Sequence, residues 1–288
     1  MSKEFLKVAL IQSTLDKDLA WNTSTVYRPR MDNVEAKRIW NETSRVIADY
    51  DALPVVQRPE IILMPEFAVA DIHKTDLDTW ARQLGCIIIA GHDFEVVNGK
   101  VENRASVVIP HQWPHGKGKA IGKTFHFGKR FPAYSEKQYI KNCGYEYSSA
   151  ERFYILDTGE YGRIGLAICA DFYDIERFAL YKGRVQHIFI IAYNKDVKSF
   201  YFLAEAISRL VYCNVIICNT GFYGGSICFS LYKDDYRRYL YKHEGNKLFT
   251  SQIVSLPVES LIKAQQLDTG NTEFKSQPPS YINNQTKK

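Results

Sequence analysis

Arg163-Ile-Gly-Leu-Ala-Ile-Cys169-Ala-Asp171 is an apolar, β-branched run that stops abruptly at a thiol and an acid. Its short length and polar boundaries predict a buried strand rather than a helix. A structural strand needs neither group at its end, and sites in α/β proteins gather at the carboxyl ends of strands. Similar runs lie on either side: residues 8–12, 61–65, 86–91, 105–109, 188–193 and 215–220 each have the signature of a short buried strand. Helical spacing separates several of them. Residues 33–50 carry apolar residues at Val34, Ile39, Val46 and Ile47, 76–84 form a shorter candidate, and 175–182 and 199–213 are stronger ones. The stretches 86–127 and 225–258 show successive strands with no helix between, so the sheets are expected to be mixed. Such alternation predicts α/β layers, with helices over the outer faces of sheets whose inner faces pack together.

The chain of 288 residues is 45% hydrophobic, 24% charged and 14% aromatic, with 37 Lys+Arg against 32 Asp+Glu and a formal charge of +5. That composition excludes overall disorder and supplies a substantial core. The positive excess is spread too thinly for a dedicated nucleic-acid binder. The six cysteines sit mostly in apolar runs, as reduced, buried thiols do. The apolar part of the opening segment, about four residues, is too short for a signal-peptide core. No run approaches the roughly 18 apolar residues of a membrane span. A cytoplasmic protein is expected. No Cys-x-x-Cys occurs, and Pro114 between His111 and His115 breaks any helix that could align those two, so no metal site is expected. Gly116, Gly118 and Gly122 fall one residue out of step with the dinucleotide fingerprint, which leaves a plain turn and no expected cofactor. No linker divides the chain. One domain over residues 1–268 is expected, followed by a polar, Pro-containing flexible tail at 269–288.

Two further strand ends carry polar groups. Ile61-Ile-Leu-Met-Pro-Glu66-Phe ends in a carboxylate, and the strand-like 119–127 leads into Gly128-Lys129-Arg130-Phe-Pro-Ala-Tyr-Ser-Glu136. Taken singly, Cys169 suits burial as a small hydrophobe, Glu66 a turn cap, and Lys129 a solvated surface. Taken together they supply a nucleophile, a general base and a cation for a thiolate or an oxyanion.

Four stretches carry a resemblance to a known family: Lys7-Val-Ala-Leu-Ile-Gln12; Ile61-Ile-Leu-Met-Pro-Glu66-Phe; Ile164-Gly-Leu-Ala-Ile-Cys169-Ala-Asp171; and Cys213-Asn-Val-Ile-Ile-Cys-Asn219-Thr-Gly with Gly225-Ser226 beyond it. Their order resembles that of the nitrilase, or carbon-nitrogen hydrolase, superfamily, over about residues 5–258. The resemblance implies a four-layer α-β-β-α sandwich with mixed sheets and a Glu-Lys-Cys triad in that chain order. It makes Cys169 the nucleophile, Glu66 the general base and the Ala170 N–H part of an oxyanion site. Lys129, followed by Pro132 and Glu136, matches the shorter form of the family's lysine loop. Lys123 is the alternative, since the family often has Lys two residues before His, whereas here His126 follows Lys123 by three. Glu136 would orient the lysine or the substrate, and Tyr193 and Asn194 lie where the family contacts substrate. The implied activity is amidase-type hydrolysis of a small amide or carbamoyl compound through a Cys thioester. The implied assembly is a homodimer or higher homo-oligomer, paired through the helices at 175–182 and 199–213.

Two other readings compete. A catalytically silent binding or regulatory module could keep the fold without the reaction. Lys117, Lys119, Lys123, Lys129 and Arg130, interleaved with Phe125, Phe127 and Phe131, could instead bind single-stranded nucleic acid.

Overall fold

Side-chain alternation decides the architecture. Along the strand Phe5–Gln12, Val8 and Leu10 enter one apolar layer while Ala9 and Ile11 enter another, and Ile61, Leu63 against Ile62, Met64 repeat the division. A strand apolar on both faces belongs to a sheet covered on both sides. The structure, a computed structural model, describes residues 2–21, 29–118, 120, 122–266 and 273–281.

The first six-stranded sheet runs, in spatial order, Thr250–Pro257, Phe5–Gln12, Ile61–Leu63, Ile87–Gly91, Arg104–Ile109 and Lys123–Gly128. The second runs Tyr239–His243, Ser226–Phe229, Asn214–Asn219, His187–Ala192, Arg163–Ile168 and Ile155–Asp157. Each has three parallel strands at its centre and antiparallel strands outside them, so both are mixed as expected. Leu6, Val8, Leu10 and Leu63 share one buried cluster with Ile164, Leu166 and Phe189 of the second sheet, so the sheets pack face to face. That cluster continues through Phe178 and Tyr181 of helix Ile175–Tyr181 and Phe200 and Ala204 of helix Val197–Ile207. On the other outer face, Ile62, Met64 and Ile88 pack on Trp40 and Ile47 of helix Asn33–Ala52 and on Leu77, Ala81 and Leu84 of helix Lys74–Leu84. The molecule is therefore a four-layer α-β-β-α sandwich.

Asp32 accepts hydrogen bonds from the Val34 and Glu35 N–H groups, which fixes the start of the longest helix. Helix Val197–Ile207 stops short of the expected Cys213; one wider-wound turn, Ser208–Tyr212, completes the connection. Helices Tyr134–Asn142 and Glu259–Gln266 and a small sheet of Glu95–Val97, Lys100–Glu102 and Glu146–Tyr147 were not foreseen. The first of these helices buries only Glu136 and Ile140 and so carries no apolar stripe. The run 225–258 also contains a four-residue helix, Asp235–Arg238, between two of its strands.

Of the expected tail, 269–272 and 282–288 lie outside the described residues. Residues 273–281 lie against the body: Phe274 is fully buried and stacks on Tyr232 at 4.8 Å between centroids, and the Tyr212 hydroxyl donates to the Lys275 carbonyl. Two aromatic anchors hold a segment whose composition offered little to bury. Among the described residues no helix is long and apolar enough to cross a membrane, and no group of three or more His, Cys, Asp or Glu side chains is placed to hold a metal ion.

Candidate active site

Glu66 emerges three residues beyond the strand Ile61–Leu63, and Phe67 after it turns the chain with φ +62°. Gly91 ends the neighbouring strand directly beneath this turn. A Cβ there would stand 2.5 Å from the Glu66 Cα, so only glycine allows the approach. Lys129 follows the strand Lys123–Gly128, its N–H bonded to the Asn103 carbonyl at 2.8 Å. Glu136, in the first turn of helix Tyr134–Asn142, accepts from the Ala133 N–H at 2.6 Å.

These side chains converge. Lys129 Nζ lies 2.8 Å from Glu66 Oε1 and also donates to Glu136 Oε2. Asn103 Nδ2 bridges the same two carboxylates, at 2.7 Å from Glu66 and 2.9 Å from Glu136. Glu66 Oε2 accepts from the Tyr193 N–H at 2.9 Å. Lys129 is 1% exposed, and one ammonium between two carboxylates leaves the cluster with an excess of negative charge. Burial, and then the Glu136 charge, push the Glu66 carboxyl above its ordinary value against the pull of Lys129. Burial works against the Lys129 charge, yet the two carboxylates outweigh it and hold the ammonium protonated.

Cys169 is the first residue past the strand Arg163–Ile168, and its φ of +46° puts a non-glycine residue in the left-handed region. Such strain costs about 1–3 kcal/mol and persists only where the surroundings enforce it. Asp171 supplies the enforcement. Its carboxylate accepts from the Arg130 N–H at 3.0 Å, from the Phe131 N–H at 2.9 Å and from Arg177 Nη2 at 2.7 Å. One carboxylate thus clamps the turn carrying Cys169 to the two residues that follow Lys129. Gly165, in the same strand, makes room for the Tyr181 ring, which would lie 2.7 Å from a Cβ. Cys169 is 7% exposed; burial, then repulsion by Glu66, raise its thiol well above the ordinary value, with Lys129 opposing. The resting thiol is protonated.

The structure separates the two lysine candidates. Lys123 is exposed at the start of its strand, opposite Ile109, whereas Lys129 sits between the carboxylates. Ala170 lines, with Arg130 and Tyr173, a hollow of about 500 Å³ beside the Cys169 turn. Tyr193 faces the site through its N–H and lines a separate cavity. Asn194 does not line it: its side chain donates to the Asp196 carbonyl and accepts from the Asp196 N–H, and its backbone pairs with the Asn219 side chain. The basic and aromatic run forms no continuous surface, because Lys129 and Phe127 are buried; Lys119 lies outside the described residues.

Sequence reasoning missed Asn103, the Asp171–Arg177 clamp and the cavity. The cavity, about 360 Å³, is walled by Trp21, Phe67, Phe94, Tyr139 and Tyr193, with Glu136 on its lining. Those rings come from distant parts of the chain, so only the fold assembles them. Asn103 left no trace: it joins the strands Lys100–Glu102 and Arg104–Ile109 between Glu102 and Arg104, where a polar residue is ordinary.

No family model matches the sequence, and no curated protein matches it. Solved structures do. Saccharomyces cerevisiae Nit3, a member of branch 10 of the nitrilase superfamily, superposes with a TM-score of 0.65 at 15% identity, over 92% of this chain and 94% of that one. An amidase from Nesterenkonia sp. gives 0.62 at 13% identity, over 91% and 94%. XC1258 from Xanthomonas campestris, a CN-hydrolase superfamily protein with an arsenic adduct in its active site, gives 0.59 at 12%, over 92% and 95%. The chain has the fold of the nitrilase, or carbon-nitrogen hydrolase, superfamily.

Proposed function

We propose that this chain is a carbon-nitrogen hydrolase of the nitrilase superfamily, acting as an amidase on a small amide or carbamoyl substrate. The observation that carries the reading is the buried Glu66–Lys129–Glu136 cluster beside a cysteine held in left-handed backbone at a strand end. Cys169 Sγ attacks the carbonyl carbon as Glu66 removes the thiol proton, which a protonated resting thiol requires. The Ala170 N–H and Lys129 stabilise the oxyanion. Collapse breaks the C–N bond, and Glu66 returns its proton to the departing amine or ammonia. Water, activated by Glu66, then cleaves the thioester and frees the acid. Glu136 holds Lys129 and Asn103 in register.

Ammonia release from a panel of amides, carbamoyl compounds and nitriles tests this. Release by the wild type and not by Cys169→Ala is expected. Release that survives the substitution sinks the thioester route. No release, together with a Cys169 that iodoacetamide labels no faster than the other thiols, favours the silent binding module.

The same reading includes a homo-oligomer. Ile175 and Phe202, 75% and 74% exposed, lie with Leu180 and Leu210 on the helical layer next to the Cys169 turn and suit a second copy of the chain. Sedimentation should give a mass above the 33.2 kDa of one chain. Six free cysteines suit a reducing, cytoplasmic setting.

A further inference from the structure

The aromatic cavity bears on the substrate. Phe67 follows Glu66 directly, Tyr193 donates its N–H to Glu66, and Glu136 binds Lys129, so three residues of the reacting cluster or its neighbours line the cavity. The cavity and the Glu66–Lys129 pair therefore adjoin. Resting on the hydrolase reading, we infer that this cavity receives the acyl part of an uncharged amide bearing a phenyl-sized apolar group.

Size is the first reason. A dry cavity of about 150 Å³ takes a benzene ring, and ligand pockets begin at about 300 Å³. The observed 360 Å³ holds a ring, a linking carbon and an amide.

Charge is the second. Among the described residues that line the cavity, Lys17 is the only cation, and it is bonded to Asp18 at 2.5 Å. Glu136 is already held by Lys129 and Asn103. Among the described residues the wall thus offers a carboxylate no cation beyond this half-exposed Lys17, already paired, and the negative excess of the Glu66–Lys129–Glu136 cluster repels one. A carbamoyl amino acid fits poorly here.

Ring geometry addresses a cationic substrate. Trp21 meets Phe67 edge to face, with centroids 4.8 Å apart and planes at 72°, and meets Tyr193 at 82°. Ring faces covered by ring edges are not open to a cation, which a cation–π cage requires. Trp21 is fixed from behind, its Nε1 donating to the buried Asp93 at 3.1 Å. The walls therefore present a rigid apolar surface.

The test measures kcat/KM by ammonia release for acetamide, phenylacetamide, N-carbamoylglycine and 4-aminobutyramide with the wild type, Cys169→Ala and Trp21→Ala. Phenylacetamide should exceed acetamide by about 10- to 100-fold, the burial of one phenyl-sized group. Both charged amides should fall below phenylacetamide, and Trp21→Ala should bring the phenylacetamide-to-acetamide ratio close to unity. Cys169-dependent release that favours a charged amide, or a ratio indifferent to Trp21→Ala, overturns the inference and leaves the hydrolase reading standing. If no amide gives Cys169-dependent release, the hydrolase reading has failed, and calorimetric titration of the Cys169→Ala protein still decides the cavity. Tighter binding of phenylacetamide than acetamide then supports an apolar site, and equal binding overturns it.

Discussion

Glu66 and Cys169 are each pushed toward the protonated state, and this sets how the site responds to pH. In the proposed reaction Glu66 works as the carboxylate, and burial favours the acid form, so the active fraction is lost at a higher pH than for an exposed glutamate. The acid limb of kcat/KM should therefore lie above the ordinary 4.5. A pH–rate profile of Cys169-dependent ammonia release checks this, and a limb at or below that value refutes it. Lys129 has a structural duty too. Lys129→Met strands two buried carboxylates without a cation, which should cost about 3–5 kcal/mol of stability. Urea unfolding reads that directly, and an unchanged midpoint would contradict the charge balance described. The placement of Glu66 and Cys169 past strand ends was legible in the sequence because each ends an apolar run that needs no polar group. Spacing alone left Lys129 against Lys123 open, because burial, which separates them, is a tertiary property. Asn103 and Asn194 show the same limit: two amides near strand ends, of which only Asn103 turns inward.

The elements around the site are joined by few contacts, each specific. Helix Ile175–Tyr181 contributes Arg177, 2% exposed, which binds Asp171 and donates to the Leu166 carbonyl at 3.0 Å. Arg177→Leu leaves Asp171 buried with only backbone partners, and a loss of about 3–5 kcal/mol is expected. If the clamp aligns the lysine loop with the proposed nucleophile, kcat should fall as well, in protein that far-UV circular dichroism shows to be folded. A variant of lowered stability and unaltered kcat would restrict Arg177 to a structural part. The strands were readable because continuous β-branched runs are hard to place elsewhere than in a buried sheet. Helix Tyr134–Asn142 was not, since of its two buried residues, one turn apart, only Ile140 is apolar, and yet it delivers Glu136.

At the scale of the molecule, the four layers followed from the alternation of strands and amphipathic helices, whereas the cavity walls did not. Trp21, Phe94 and Tyr139 carry no local pattern that brings them together. Buried titratable groups also set the pH range of stability. His187 is enclosed, with Nε2 3.2 Å from the Tyr161 carbonyl and Nδ1 3.1 Å from Asn214 Nδ2, and burial lowers its pKa from 6.5 to about 4. The unfolded chain binds a proton below 6.5 that the folded chain refuses, so stability is lost as pH falls from there toward 4. The loss amounts to about 3 kcal/mol. Asp93, buried and raised to about 7, works the other way: its share of stability is present at low pH and fades as pH rises toward neutrality. Urea unfolding at several pH values should show His187→Gln with a shallower loss below pH 6.5 than the wild type. Parallel curves would remove His187 from the account.

The Asp171 clamp also bears on how such a chain could be reshuffled. Its donors at Arg130 and Phe131 are backbone N–H groups, which nearly any amino acid provides, and its side-chain partner Arg177 comes from the same C-terminal stretch. A chimera with a crossover anywhere between Phe131 and Asp171 would therefore inherit the joint between the Lys129 loop and the Cys169 turn, whatever side chains its N-terminal parent carried there. Only proline at position 130 or 131 would break it.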